Sequence, residues 1–335
     1  MKSREVQLVS RPPGMPTREN FRVVEKDLGY PGPGEVLVRN LFLSVDPYMR
    51  GRMRDRKSYV APFGLERTMT GGAVGQIVES QVPGLFPGEH VLSDFGWREG
   101  FCCAGDEVTP LGELQASPSA YLGVMGMPGM TAYTGLFGAA SLKDGETVFV
   151  SGAAGAVGSI AGQIAKIKGC RVVGTAGSAE KVRYLVDDLG FDHAFDYHDG
   201  DLRRQIRDGA PEGVDVFFDN VGGELLQAGI GAMRESGRIA LCGAISMYND
   251  TEPAPGPTNL PRTIGLGINI RGFLVRHYRH MRDDFLRDVG GWLIDGQLTY
   301  RETVFEGIES APDAFIGLFT GANIGKMVVR LDEGD

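Results

Sequence analysis

No two cysteines in this chain are spaced C-x-x-C. The four present, Cys102, Cys103, Cys170 and Cys242, form neither a disulfide framework nor a zinc knuckle in pattern. A reducing cytoplasm is therefore the expected location. Histidine is also scarce, with five in all at positions 90, 193, 198, 277 and 280. No charged leader with an apolar core opens the sequence, and no apolar run is long enough to span a bilayer, so no membrane partner is expected. Internal repeats and low-complexity linkers are absent too. Positive charge does not dominate: the formal net charge of −9 argues against a nucleic-acid-binding surface. Glycine, by contrast, is abundant at 50 of 335 residues, a length that suits two domains. Many glycines fall in turns such as PGPGE (31–35), VPGLFPGE (82–89) and GMPGM (126–130), which point to a β-rich N-terminal half.

The most informative stretch is TVFVSGAAGAVG (147–158). An apolar, β-branched run enters a turn of small residues and leaves into an apolar segment, Ser159 to Lys168, with helical character. This reads as strand, tight turn and helix N-terminus, where backbone amides and the helix dipole face a diphosphate. Gly152, Ala154, Gly155, Ala156, Val157 and Gly158 are the expected cofactor contacts. The glycine spacing is G-x-x-G-x-x-G, with Ala153 where the middle glycine of the usual motif would stand; such turns also occur for packing alone. Downstream, short apolar runs alternate with amphipathic segments: RVVGTA (171–176), AFDY (194–197), VDVFFDN (214–220), RIALCGA (238–244) and INIRGFLV (268–275). Helices are expected near 179–190, 200–209 and 223–235. This βαβ alternation predicts a doubly wound parallel sheet, the Rossmann type of α/β fold.

The end of the second strand bears on the choice of dinucleotide. An NAD site places an acid there for the ribose hydroxyls. Here the run is Thr175-Ala176-Gly177-Ser178, without a carboxylate, and Lys181 follows one helical turn on. Glycine leaves room for a ribose phosphate, Ser178 is a donor, and Lys181 carries a point charge. Tyr197, at the end of the third strand, is placed to join them. NADPH is the expected cofactor, against the bland reading of Lys181 as a solvated helix lysine.

In the N-terminal half, 35–45, 73–79 and 89–93 read as strands. After about 300 the chain returns to β character around a helix near 311–320. A barrel built from 1–121 and 300–335, interrupted by a nucleotide domain at 122–299, explains this order. Across its length the chain resembles the medium-chain dehydrogenase/reductase superfamily, and within it the zinc-independent group of leukotriene B4 12-hydroxydehydrogenases, prostaglandin reductases and curcumin reductases. SVDPYMRGRM (44–53), GMPGMTAYTGL (126–136), SGAAGAVGS (151–159), FDNVGGE (218–224), CGAISMYN (242–249) and NIGKMVV (323–329) carry the resemblance. It implies a GroES-like barrel joined to the Rossmann domain, with the active site in the cleft between them. The implied activity is NADPH-dependent reduction of the C=C bond of α,β-unsaturated ketones and aldehydes.

No metal is expected. Where zinc-dependent relatives carry a catalytic cysteine this chain reads Ser44-Val45-Asp46-Pro47, and Cys102 and Cys103 read as small barrel hydrophobes. Reduction of an activated C=C needs only donors to a developing enolate. The resemblance implies Tyr48 and Tyr248 as those donors, each with the alternative of a core tyrosine satisfied by backbone. Arg50, with Arg52 beside it, is a candidate for an acidic substrate group or a cofactor phosphate; a salt-bridged scaffold role is the equal alternative. Met127, Thr131, Asn220, Cys242, Gly243, Phe273, Leu274, Val275 and Asn323 are the further implied cofactor contacts. One departure stands out: Leu260 and the glycine-rich TIGLGINIRGF (263–273) replace a tyrosine and a basic stretch, which predicts a more open lid. The strand that follows is expected at the sheet edge, where relatives pair across a homodimer. A quinone reductase of the same superfamily and a non-catalytic NADPH sensor are the competing functions.

Overall fold

The computed structural model describes residues 1–331. The chain forms two compact units. One comprises Met1–Leu122, Glu302–Asn323 and the chain from Met327 on; the other comprises Gly123–Arg301 with Ile324–Lys326. The short excursion Ile324–Lys326 into the second unit has no counterpart in the expected boundaries.

The first unit is built on antiparallel strands. Its larger sheet runs in the order Glu302–Glu306, Lys326–Arg330, Glu35–Ser44, Ala73–Ser80, His90–Ser93 and Thr109–Pro110, with Gly100–Ala104 also paired to Glu35–Ser44. Both chain ends thus contribute to one sheet, as the recurrence of β character after 300 predicts. A smaller sheet holds Phe21–Asp27, Lys2–Leu8 and Arg67–Thr68. Its apolar core gathers Leu43, Met49, Trp97, Phe315 and Val329. The Trp97 ring is stacked on Phe21 at 5.9 Å and meets Phe315 edge-on at the same separation, an offset and T-shaped pairing that aromatic quadrupoles favour.

The second unit carries a six-stranded parallel sheet. Its strands are β1 Thr147–Val150, β2 Arg171–Ala176, β3 His193–Asp196, β4 Val214–Asp219, β5 Met233–Leu241 and β6 Asn269–Gly272. They lie in the order β3-β2-β1-β4-β5-β6. The reversal beside β1 places ligand at the strand C-termini. Strands β1, β2 and β4 are almost wholly buried, which explains their continuous apolar runs: a parallel strand is covered on both faces. Phe149 of β1 and Phe217 of β4 stack at 4.7 Å in this core.

The α-helices of this second unit in chain order are α1 Met127–Thr134, α2 Gly158–Ile167, α3 Ala179–Arg183, α4 Leu202–Gly209, α5 Gly223–Ala232, α6 Pro261–Gly265 and α7 Arg282–Ile294. Two details differ from the sequence reading. Residues 233–235, expected as helix, begin β5. The last strand stops at Gly272, so Phe273, Leu274 and Val275 lie beyond it. The glycine-rich 263–273 run holds both helix and strand. It begins within α6 and turns at Gly267 (φ +59°), while the Leu266 carbonyl accepts from the Ser236 amide at 2.6 Å.

Candidate active site

At the end of β1 the chain turns through Gly152, whose φ of +57° is a left-handed conformation that suits glycine. Gly158, the first residue of α2, faces the same turn. A Cβ there would drive into the Gly152 carbonyl oxygen and stand 2.8 Å from the Ala153 Cα. Gly155 is less confined, with 3.3 Å to the Gly152 carbonyl oxygen. Ala153 is buried, and its amide donates to the Thr175 carbonyl at 2.9 Å, so an alanine at the middle position points into the fold and obstructs nothing outside it.

A network absent from the sequence reading holds this turn. The buried Asp219 carboxylate accepts from Ser151 Oγ at 2.6 Å, the Val221 amide at 3.0 Å and the Gly222 amide at 3.1 Å. Asn220 completes the tie, with its amide donating to Ser151 Oγ at 2.9 Å and its Nδ2 to the Ser151 carbonyl at 2.8 Å. Burial raises the Asp219 carboxyl above its ordinary range, and these donors act against that rise. The polar residues closing the apolar runs of β1 and β4 were the available signal. Gly325 was also missed. Its amide donates to the Ala154 carbonyl at 2.8 Å, it bridges to Gly155, and a side chain there would collide with the Arg301 carbonyl. The segment after Asn323 is thereby fastened to the glycine turn.

Of the residues expected around a ribose phosphate, Gly177 lies against Tyr197, and Ser178 bonds the Lys181 amide. A Cβ on Gly177 would lie 3.0 Å from the Tyr197 hydroxyl, so that ring covers the glycine. Tyr197 is 44 % exposed and its amide donates to the Ala176 carbonyl at 3.1 Å. Ser178 caps α3, its Oγ accepting from the Lys181 amide at 3.3 Å. Lys181 is partly buried, and that desolvation lowers its ammonium from the ordinary value. A glycine floor, a hydroxyl, a lysine and a phenol with no acid at the tip of β2 fit the 2′-phosphate of NADPH.

Other cofactor candidates sit at loop and helix ends of the same unit. Met127 opens α1 and is 41 % exposed, while the Thr131 hydroxyl donates to the Met127 carbonyl at 2.7 Å. Cys242 and Gly243 follow β5 rather than closing it; their amides donate to the Asp219 carbonyl at 2.8 and 3.1 Å. Burial and the nearby Asp219 push the Cys242 thiol up to about 12. Phe273 meets Phe218 edge-on at 6.1 Å and lies against Gly135, so its ring serves packing. The Tyr248 hydroxyl accepts from the Ala244 amide at 3.2 Å.

In the first unit, Tyr48 precedes a one-turn helix, Met49–Arg52, and packs on the apolar core. Burial and the neighbouring Asp46 raise its phenol well above the usual value, and the charge of the Arg52 guanidinium acts against that rise. Arg52 is itself fixed, donating to the Ala61 carbonyl at 2.9 Å and to Thr70 Oγ1 at 2.9 Å. Arg50 is 0 % exposed and donates to the Pro12 carbonyl at 3.1 Å and the Gly14 carbonyl at 2.7 Å. These bonds tie down the 12–14 segment and favour the scaffold alternative over a substrate contact; burial lowers its pKa to about 10.

Two family models match the chain: the N-terminal domain of oxidoreductase over residues 4–111 and zinc-binding dehydrogenase over 156–289. The chain is 44 % identical to an NADPH-dependent curcumin reductase of Escherichia coli strain K12, covering 100 % of this chain and 98 % of that one. It is 45 % identical to an NADP(+)-dependent 2-alkenal reductase of Nicotiana tabacum, over 90 % of this chain and 88 % of that one. The crystal structure of CurA from Vibrio vulnificus in complex with NADPH matches with a TM-score of 0.94 at 43 % identity, covering 99 % of this chain and 100 % of that one.

Proposed function

Because this chain belongs to the medium-chain dehydrogenase/reductase superfamily, in its group of alkenal/one oxidoreductases, we propose that it uses NADPH to reduce the C=C bond of α,β-unsaturated ketones and aldehydes. The observation that carries this reading is near-full-length similarity to curcumin and alkenal reductases, in a chain whose β2 tip suits a phosphorylated ribose.

Bound NADPH supplies a hydride to the β-carbon of the enone. The protein's part is to hold and polarise. The turn Gly152–Gly158 and the N-terminus of α2 hold the diphosphate, and Gly177, Ser178, Lys181 and Tyr197 hold the 2′-phosphate. Met127, Thr131, Asn220, Cys242, Gly243, Phe273–Val275 and Asn323 border the nicotinamide end. Tyr48 donates its O–H to the substrate carbonyl oxygen, where negative charge gathers as the enolate forms. The nearby Arg52 guanidinium favours charge on the phenol oxygen as that proton is shared with the substrate. Tyr248 is the second donor, with its oxygen already held by the Ala244 amide. The α-carbon takes its proton from a tyrosine or from water.

The reading is zinc-independent. Residues 44–47 lack the cysteine of zinc-dependent members, and among the described residues no three His, Cys, Asp or Glu side chains come together as a ligand set. No helix among the described residues is long and apolar enough to cross a membrane. The cysteines, none spaced C-x-x-C, suit a reducing cytoplasm, where we place the protein. A homodimer paired along β6 is part of the proposal, since β6 is an edge strand bonded within this chain to β5.

The test is NADPH oxidation with an aryl enone and its saturated ketone side by side. Turnover of the enone alone supports the reading. Turnover of a quinone but not the enone overturns it in favour of a quinone reductase. NADPH binding without turnover of any of them points to a sensor.

A further inference from the structure

The tip of β3 carries a carboxylate where a phosphate-binding pocket has no use for one. Asp196 pairs in register with Ala176, the last residue of β2, and so lies beside the Gly177 pocket. Its side chain is 13 % exposed, and its charge reaches Lys181. In that position a bare carboxylate repels a ribose phosphate dianion. Asp196 is not bare. His198 Nδ1 stands 2.8 Å from Asp196 Oδ1, and the His198 amide donates to the same oxygen at 3.0 Å. An imidazole nitrogen facing a carboxylate oxygen carries the proton, because two acceptors do not pair. The His198 ring also rests against Tyr197, with centroids 4.1 Å apart.

We propose that His198 is a specificity-determining residue for the phosphorylated cofactor, acting by occupying the Asp196 carboxylate so that the pocket of Gly177, Ser178, Lys181 and Tyr197 tolerates a 2′-phosphate. His198 is in this sense a positioning residue, working through Asp196. The inference rests on the NADPH reading above, and its test separates the two.

The test is calorimetric binding of NADPH and NADH to the full chain and to two variants, His198→Phe and His198→Phe with Asp196→Asn. Phenylalanine keeps a ring against Tyr197 and removes the hydrogen bond. Asparagine keeps the Oδ1 acceptor for the residue 198 amide and removes the charge. His198→Phe is expected to weaken NADPH about fivefold and to leave NADH unchanged, the scale of one net hydrogen bond. Adding Asp196→Asn is expected to restore NADPH affinity. An unchanged NADPH-to-NADH ratio in His198→Phe, or a loss that Asp196→Asn does not recover, overturns the inference. A wild-type chain that binds both cofactors equally overturns the NADPH reading instead. NADH affinity serves as the folding control throughout.

Discussion

Replacing Gly158 by alanine separates a glycine that the fold needs from one that only the motif suggests. The new Cβ would collide with the Gly152 carbonyl oxygen and lie 2.8 Å from the Ala153 Cα and 3.0 Å from the Gly152 carbonyl carbon. All three are backbone atoms of a turn already held by the Ser151–Asp219–Asn220 network, so no side chain can swing aside. Overpacking of this kind costs about 1–3 kcal/mol. Alanine's better helix propensity is worth up to about 1 kcal/mol in a helix interior and less at the first residue, so it does not reverse the sign. For a unit of this size about 2 kcal/mol corresponds to a fall in Tm of about 6 °C. Moving the turn also displaces the amides offered to the diphosphate, and NADPH binding is expected to weaken about tenfold. Gly155→Ala is the internal contrast: its nearest atom is the Gly152 carbonyl oxygen at 3.3 Å, which a small shift accommodates. Thermal unfolding followed by circular dichroism, with NADPH fluorescence titration, reads both variants. If Gly158→Ala matched the wild type in Tm and NADPH affinity, the steric account of this turn would be refuted.

Tyr48→Phe is expected to lower enone turnover about 100-fold while leaving the NADPH dissociation constant unchanged, the loss typical of one oxyanion donor. Burial and Asp46 raise the phenol above its usual value, so it stays protonated, and wild-type kcat should show no falling limb from its ionisation up to about pH 10. A limb below that pH that vanishes in Tyr48→Phe would contradict the assignment. Arg50→Ala removes the donor to the Pro12 and Gly14 carbonyls from a fully buried position and is expected to cost about 3 kcal/mol of stability. The folded fraction should keep its KM for the enone. A raised KM with unchanged Tm would return Arg50 to the substrate.

The sheet was legible in the sequence because parallel strands covered on both faces must be apolar throughout, and TVFV, RVVGTA and VDVFFD are. The glycine turn and the missing acid after Ala176 were legible because local backbone geometry and local charge need no distant partner. Boundaries at 233 and 272 were less so. The ends of α5 and β6 are set by hydrogen bonds to neighbouring elements, such as Phe273 to the Leu241 carbonyl, and not by residue type alone. Arg50 shows the same limit at a side chain. Its position beside Tyr48 suits a substrate contact, and only the folded chain brings the Pro12 and Gly14 carbonyls, 36–38 residues earlier, onto its guanidinium.

Asp219 and His198 lie on that side of the divide too. An aspartate ending an apolar strand is ambiguous until Ser151, 68 residues away, donates to it. A histidine after Tyr197 has no evident role until the parallel register sets Asp196 against Ala176. The architecture and the family were thus legible along the chain, since they rest on periodicity and on residues adjacent in it. Tertiary structure decided which polar groups are scaffold and which remain to meet a ligand. A side chain's hydrogen-bond partners are chosen by what folding brings beside it.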